Sequence, residues 1–180
     1  WLADLLGVIH ACPDLDFQLL TKRPENWEQR VEAAIHCDHR NELLNTAAWI
    51  SDWVDGGNAR ANVWVGTTVE NQEWAEKRVP NLLGTPAAVR WISAEPLLGP
   101  IDLKVARIGE WPDMSHWMPN KDEYDDWKFW MHKDNGIQWV VLGGESGHGA
   151  RPMHPAWARS VRDQCVQAGV PFFFKQFGQW

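Results

Sequence analysis

The sequence predicts an α/β fold with parallel strands. Three observations point there: five short apolar runs, amphipathic helical stretches between them, and polar residues gathered just past the end of each run. Runs that are apolar almost throughout, without strict alternation, suit strands of a parallel sheet covered on both faces.

The elements follow in order. Trp1, Leu2, Leu5, Leu6, Val8 and Ile9 repeat at helical spacing, so the chain starts inside a helix and an upstream segment is expected to be missing. Phe17 to Leu20 forms the first strand. Within Glu32 to Ala61 an added helix is expected over Asn41 to Val54, stopped by Asp55-Gly56-Gly57-Asn58. Val63 to Gly66 is the second strand, followed by a helix from Glu70 to Leu83 with Ala75, Val79 and Leu82 on one side. The third strand is Val89 to Ser93 and the fourth Trp139 to Gly143. Pro155 suits the first turn and Gly169 the stop of a helix from Pro155 to Ala168, which places Trp157, Val161 and Cys165 on one side. Phe172 to Phe174 is the fifth strand.

Strands alternating with helices make right-handed crossovers the economical topology, which either an open doubly wound sheet or a barrel satisfies. No strand leads into GxGxxG and no P-loop pattern occurs. A complete eight-unit barrel needs roughly 250 residues. The expectation is therefore a single domain over 1–180, a partial (βα) barrel, TIM-like, with residues 107–136 as an insertion or lid. That insertion contains Trp111, His116, Trp117, Trp127, Trp130 and His132, and a lid, a partner-docking segment and simple decoration are all open readings.

Composition narrows the function. A hydrophobic content of 44% is that of a globular protein, and the net charge of -7 argues against a surface that binds nucleic acid by neutralising phosphates. No apolar run is long enough to cross a bilayer and no leader peptide is evident, so a cytoplasmic protein is expected. Cys12, Cys37 and Cys165 are odd in number and widely spaced, which gives neither a disulfide framework nor a zinc site. His36 and His39 lack the partners of a zinc protease, so no metal ligand is assigned. The 14 tryptophans exceed ordinary usage but identify no ligand.

In parallel α/β folds ligands bind where strands end and loops begin. The residues at those exits are Thr21, Lys22 and Arg23, then Thr67, Thr68 and Glu70, then Ser93, Glu95 and Pro96. Gly144, Glu145, Ser146, His148 and Arg151 follow the fourth strand, and Lys175 and Gln176 the fifth. Glu95, Glu145 and Lys175 are the candidate catalytic groups. Lys22, Arg23, Thr67, Glu70, Gly143, Gly144, Ser146, Arg151 and Gln176 are candidate contacts to a cofactor or substrate. Bland alternatives stand beside them. Thr67 and Glu70 have the spacing of a capping box, Lys22 and Arg23 suit a solvated loop, and Glu145 and Arg151 suit an ion pair inside a glycine-rich turn. Ser146 is not a hydrolase nucleophile, because His148 stands where GxSxG requires glycine.

Five ordered segments carry a family resemblance: Leu19-Leu20-Thr21-Lys22-Arg23-Pro24; Trp64 to Asn71; Ser93-Ala94-Glu95-Pro96-Leu97-Leu98-Gly99-Pro100; Gly143 to Pro152; and Phe173-Phe174-Lys175-Gln176-Phe177-Gly178. Together they resemble the phage Gp37/Gp68 family, also called DUF5131, over nearly the whole chain. The resemblance implies a relative of the radical S-adenosylmethionine enzymes. For the full-length protein it implies S-adenosylmethionine and a [4Fe-4S] cluster held by an amino-terminal cysteine group that this chain lacks. Gly143-Gly144-Glu145 is similar to the Gly-Gly-Glu element such enzymes place near the cofactor's amine. Nucleic acid or a nucleotide is one candidate substrate. Two alternatives come from the residues themselves: a cluster-independent hydrolase or lyase using the strand-end glutamates, and a non-catalytic interaction protein.

Overall fold

A computed structural model describes residues 1–35, 46–55, 57–103 and 136–179. The predicted insertion, apart from Gly136, lies outside these residues, as do Cys37, His36, His39 and the first turn of the helix expected from Asn41.

The chain enters through helix α1 (Leu2–Ala11), strand β1 (Phe17–Thr21), a short 3-10 turn (Pro24–Asn26) and helix α2 (Trp27–Ile35). Helix α3 (Thr46–Val54), strand β2 (Val63–Thr68), helix α4 (Gln72–Leu83) and strand β3 (Val89–Ala94) follow. Strand β4 (Trp139–Gly143), helix α5 (Pro155–Ala168) and strand β5 (Phe172–Gln176) complete it. All five expected strands form. Helix α2 is an addition to the sequence reading; its Val31 and Ala34 are buried.

The strands make one parallel sheet in the order β1-β2-β3-β4-β5. Neighbours in sequence are neighbours in space, so the chain never reverses direction across the sheet, as a doubly wound sheet must. The sheet is open, with β1 and β5 as its edges. A closed barrel is thus not formed by these strands.

The register divides the side chains between two faces, because successive residues of a strand point opposite ways. One face carries Val63, Val65, Ile92, Ala94, Val140 and Leu142, all in the core cluster with Leu6 and Ile9 of α1, Ile50 and Trp53 of α3, Val79 and Leu82 of α4, and Val161 and Cys165 of α5. Each fully buried aliphatic side chain here stabilises by about 1.5–3 kcal/mol. The other face carries Leu20, Trp64, Gly66, Trp91, Trp139, Val141 and Phe173, and none of these belongs to that cluster. Among the described residues the helices pack on the first face, and Trp91, Ser93 and Val141 on the second are buried as well. In a sheet wound in one direction, right-handed crossovers return on the same side, so the helices share one face.

The second face has aromatic packing of its own. Trp139 lies edge-on to Trp64 with centroids 6.0 Å apart and tilted against Trp91 at 5.3 Å. The Trp91 indole covers Gly66 so closely that a Cβ there would sit 2.4 Å from Cε2. Three further tryptophans, Trp27, Trp49 and Trp53, pack among the helices, where the Trp53 indole donates to the Pro86 carbonyl at 2.6 Å. Much of the tryptophan excess is therefore structural.

Helix ends follow local rules. Asn71 caps α4 by accepting from the Trp74 amide at 3.1 Å, and the His154 imidazole caps α5 by accepting from the Ala156 amide at 3.1 Å. Pro155 opens α5, and Gly169, at φ 68°, ends it in the left-handed region. Among the described residues no helix is long and apolar enough to cross a membrane.

Candidate functional site

Three polar groups form at the carboxyl ends of the strands. The first is centred on Glu95, one residue beyond β3. Its carboxylate lies over Gly143, where an added Cβ would approach Oε1 to 3.0 Å, so the bare backbone of β4 gives the side chain its seat. The Glu95–Pro96 peptide bond is cis. Lys175 donates to both carboxylate oxygens, at 3.0 and 3.1 Å, and Gln176 Nε2 approaches Oε1 at 3.4 Å. Gln176 Nε2 also donates to the Ser146 hydroxyl at 2.6 Å.

A β-bulge makes this possible. The register runs Phe174 opposite Leu142 and then Gln176 opposite Gly143, which leaves Lys175 as the extra residue. Consecutive strand residues normally point to opposite faces, but at a bulge both can reach one partner. Beyond it the two chains run close, with the Gly144 amide donating to the Gln176 carbonyl at 2.9 Å and Gln179 to the Glu145 carbonyl at 3.0 Å. Gly144 has no room for a side chain, since a Cβ would lie 1.9 Å from the Phe177 carbonyl oxygen.

The second group surrounds Glu70. Arg78 Nη1 donates to Glu70 Oε2 at 2.7 Å and reaches the Thr68 carbonyl and hydroxyl at 2.9 and 2.8 Å. Thr68 donates to Glu70 Oε1 at 3.1 Å, and the guanidinium sits 4.0 Å over the Trp74 ring. Both Glu70 and Arg78 are buried. Lys22 Nζ stands 3.5 Å from Glu70 Oε1 on the exposed side. Arg78 already neutralises Glu70, so Lys22 is a surplus cation at this rim.

The third group is the Glu145–Arg151 pair. Arg151 donates through its backbone amide at 2.8 Å, Nε at 2.7 Å and Nη2 at 2.6 Å. These hydrogen bonds pull the Glu145 carboxyl down to about 2, with side-chain donation from Arg151 the largest cause. Gly147 and Gly149 adopt φ of 103° and 77°, which lets the loop fold back on itself.

The sequence-selected residues therefore separate. Glu95, Lys175, Gln176, Ser146 and Gly143 come together, and Lys22 meets Glu70. Glu145 and Arg151 satisfy each other, the ion-pair alternative for that loop. Arg23 turns to Glu25, 3.5 Å away, and leaves Lys22. Thr67 lies on the helix-covered face and donates to the Thr21 carbonyl at 2.8 Å. The capping-box alternative for Thr67 and Glu70 is corrected: Asn71 is the cap, because β2 continues through Thr68 and Glu70 spends its carboxylate on Arg78. Arg78 was not among the candidates; the signal for it is a cation set within the apolar stripe of Ala75, Val79 and Leu82.

Among the described residues no three His, Cys, Asp or Glu side chains are disposed to hold a metal ion. Cys165 is fully buried on α5, where burial pushes its thiol up to about 11, and Cys12 follows the end of α1. These two thiols do not fit the ligand set of an iron–sulfur cluster, which needs clustered thiolates.

A family model described as "Protein of unknown function (DUF5131)" matches residues 1–180. No curated protein and no solved structure matches the chain.

Proposed function

The chain belongs to the DUF5131 family over its whole length, and on that premise we propose that it is the ligand-binding part of a partial (βα) barrel enzyme acting on a small polar substrate. The carrying observation is the Glu95 carboxylate, gripped by Lys175 and Gln176 over Gly143 at the carboxyl edge of the sheet. A carboxylate in direct contact with an ammonium can exchange that partner for a substrate's cationic or hydrogen-bond-donating group, or accept a proton from it. The one-directional strand order, with the described helices on one face, supports the partial-barrel, TIM-like reading, since an incomplete barrel has a wall of this kind.

The reaction class supported by the resemblance to phage Gp37/Gp68 proteins is radical S-adenosylmethionine chemistry by the full-length protein, with a nucleotide or nucleic acid as substrate. When bound, the cluster would supply the electron that cleaves the cofactor. Its thiolates would have to come from residues other than Cys12 and Cys165. Glu95 and Lys175 hold the substrate end of the site. The test is reconstitution of the full-length protein with iron and sulfide, followed by assay for 5'-deoxyadenosine. Cleavage supports the radical class; absence of both cluster and cleavage overturns it.

A second reading, a cluster-independent hydrolase or lyase, is favoured by the same Glu95–Lys175 contact, which is an acid–base pair in itself. It predicts iron-independent turnover that Glu95→Gln abolishes.

A further inference from the structure

We infer that His154 is a pH-sensitive latch on the first turn of α5: the neutral imidazole holds that turn closed and the protonated imidazole lets it open. The latch lies outside the Glu95–Lys175 group and works whatever that group binds.

The first turn leaves the His154 side chain a single task. Pro155 has no N–H to satisfy, and the Trp157 amide donates to the His154 carbonyl at 3.0 Å. The Ala156 amide is the donor left over, and its acceptor is His154 Nδ1 at 3.1 Å. An imidazole nitrogen accepts a hydrogen bond only while it carries no proton, and both nitrogens of the charged ring are donors. Protonation at Nδ1 therefore removes the cap. It also sets a positive charge against the amino end of a helix, which already carries a partial positive charge. The two effects act in the same direction. At α4 the same task falls to Asn71, whose side-chain oxygen accepts from the Trp74 amide at 3.1 Å and does not titrate.

Little around the ring opposes the switch. His154 is exposed, so protons reach it. Among the described residues no carboxylate lies within ion-pair distance to hold the charged form, and no lysine or arginine hydrogen-bonds the ring. Of the charged residues nearest in sequence, Arg151 is bound to Glu145 and Arg159 is exposed on the same helix. The aromatic neighbour is Trp157, with ring centroids 5.9 Å apart and planes tilted by 43°. Met153, only 2% exposed, pins the chain just before the cap, so opening is confined to the first turn and leaves the core intact. The strands are parallel and α5 follows β4, so this turn stands at the carboxyl end of the sheet, where the loop bearing Ser146 and Arg151 arrives. Imidazoles change charge between about pH 8 and about pH 5. The latch is thus closed above that range and is released as pH falls through it.

The experiment is NMR of the full chain from about pH 8 to about pH 5, with His154→Asn and His154→Ala beside the native chain. At the upper end the His154 Nδ1 nitrogen is expected to show its unprotonated, accepting form, and the Ala156 amide to resonate away from its position in His154→Ala. As pH falls the Ala156 amide is expected to converge on the His154→Ala position, while in His154→Asn it stays in place. Urea titration gives a second readout: the ratio of unfolding constants, native over His154→Asn, is expected to rise about fivefold from the upper end to the lower, the weight of one helix cap. Circular dichroism checks that each variant is folded. A neutral ring protonated at Nδ1, an Ala156 amide that matches His154→Ala at every pH or fails to approach it in acid, or a stability ratio that does not change with pH each overturns the inference.

Discussion

The Glu95 carboxylate takes hydrogen bonds on both oxygens from the Lys175 ammonium, at 3.0 and 3.1 Å, across 80 residues of sequence. The side chain of Lys175 is half exposed, and an ion pair open to water contributes little to stability. Glu95→Gln and Lys175→Met are therefore each expected to change stability by no more than about 1 kcal/mol. Loss of a proton-transfer group, in contrast, lowers turnover by roughly 10²–10⁴-fold. Thermal melts run beside activity assays on the full-length protein check the pair of outcomes. A large loss of stability with activity preserved would reverse the assignment.

Arg78 shows the opposite balance. It and Glu70 are both buried, and removing one partner strands a charge in the interior. Arg78→Met is expected to cost about 3–5 kcal/mol, which lowers the melting temperature of a domain this size by roughly 6–20 °C. Adding Glu70→Gln removes the stranded charge and is expected to recover a large part of that loss. A double variant no more stable than Arg78→Met alone would show that the ion pair is not the cause.

The elements were more legible in the sequence than the site. Apolar runs such as Trp139–Gly143 and the Pro155/Gly169 brackets of α5 encode local structure, and both appear as expected. Which face a residue takes depends on register. The gathering of the described helices on one face therefore had no local signal, nor did the assembly of Trp64, Trp91 and Trp139 on the other. The bulge at Lys175 is likewise a property of two strands together, so the meeting of Lys175 and Gln176 on one carboxylate could not be read from either strand alone. Glu145 and Arg151 were both visible, six residues apart. Their mutual satisfaction depends on a loop turned back by Gly147 and Gly149.

Glycines divide by what surrounds them. Gly7 lies within α1 with nothing inside 4 Å of an added Cβ, so Gly7→Ala is expected to stabilise by about 0.5–1 kcal/mol. Gly66 lies under the Trp91 indole, and Gly66→Ala is expected to destabilise by about 1–3 kcal/mol through overpacking. Chemical denaturation of both variants checks the contrast. Equal effects would mean that the Trp91 ring is free to move.

The Glu145–Arg151 clamp sets a pH window. The folded carboxyl is pulled to about 2 from an ordinary 4.5, so the unfolded chain binds its proton first as pH falls. The clamp's contribution is thus complete above the ordinary carboxylate range and is lost as pH falls toward 2. It is screened by water, because Arg151 is well exposed. Carboxyl-carbon NMR of Glu145 is expected to titrate near 2 in the native chain and to return to about 4.5 in Arg151→Ala. A native midpoint in the ordinary carboxylate range would show that the clamp is open in solution and would return Glu145 to the groups free to meet a ligand.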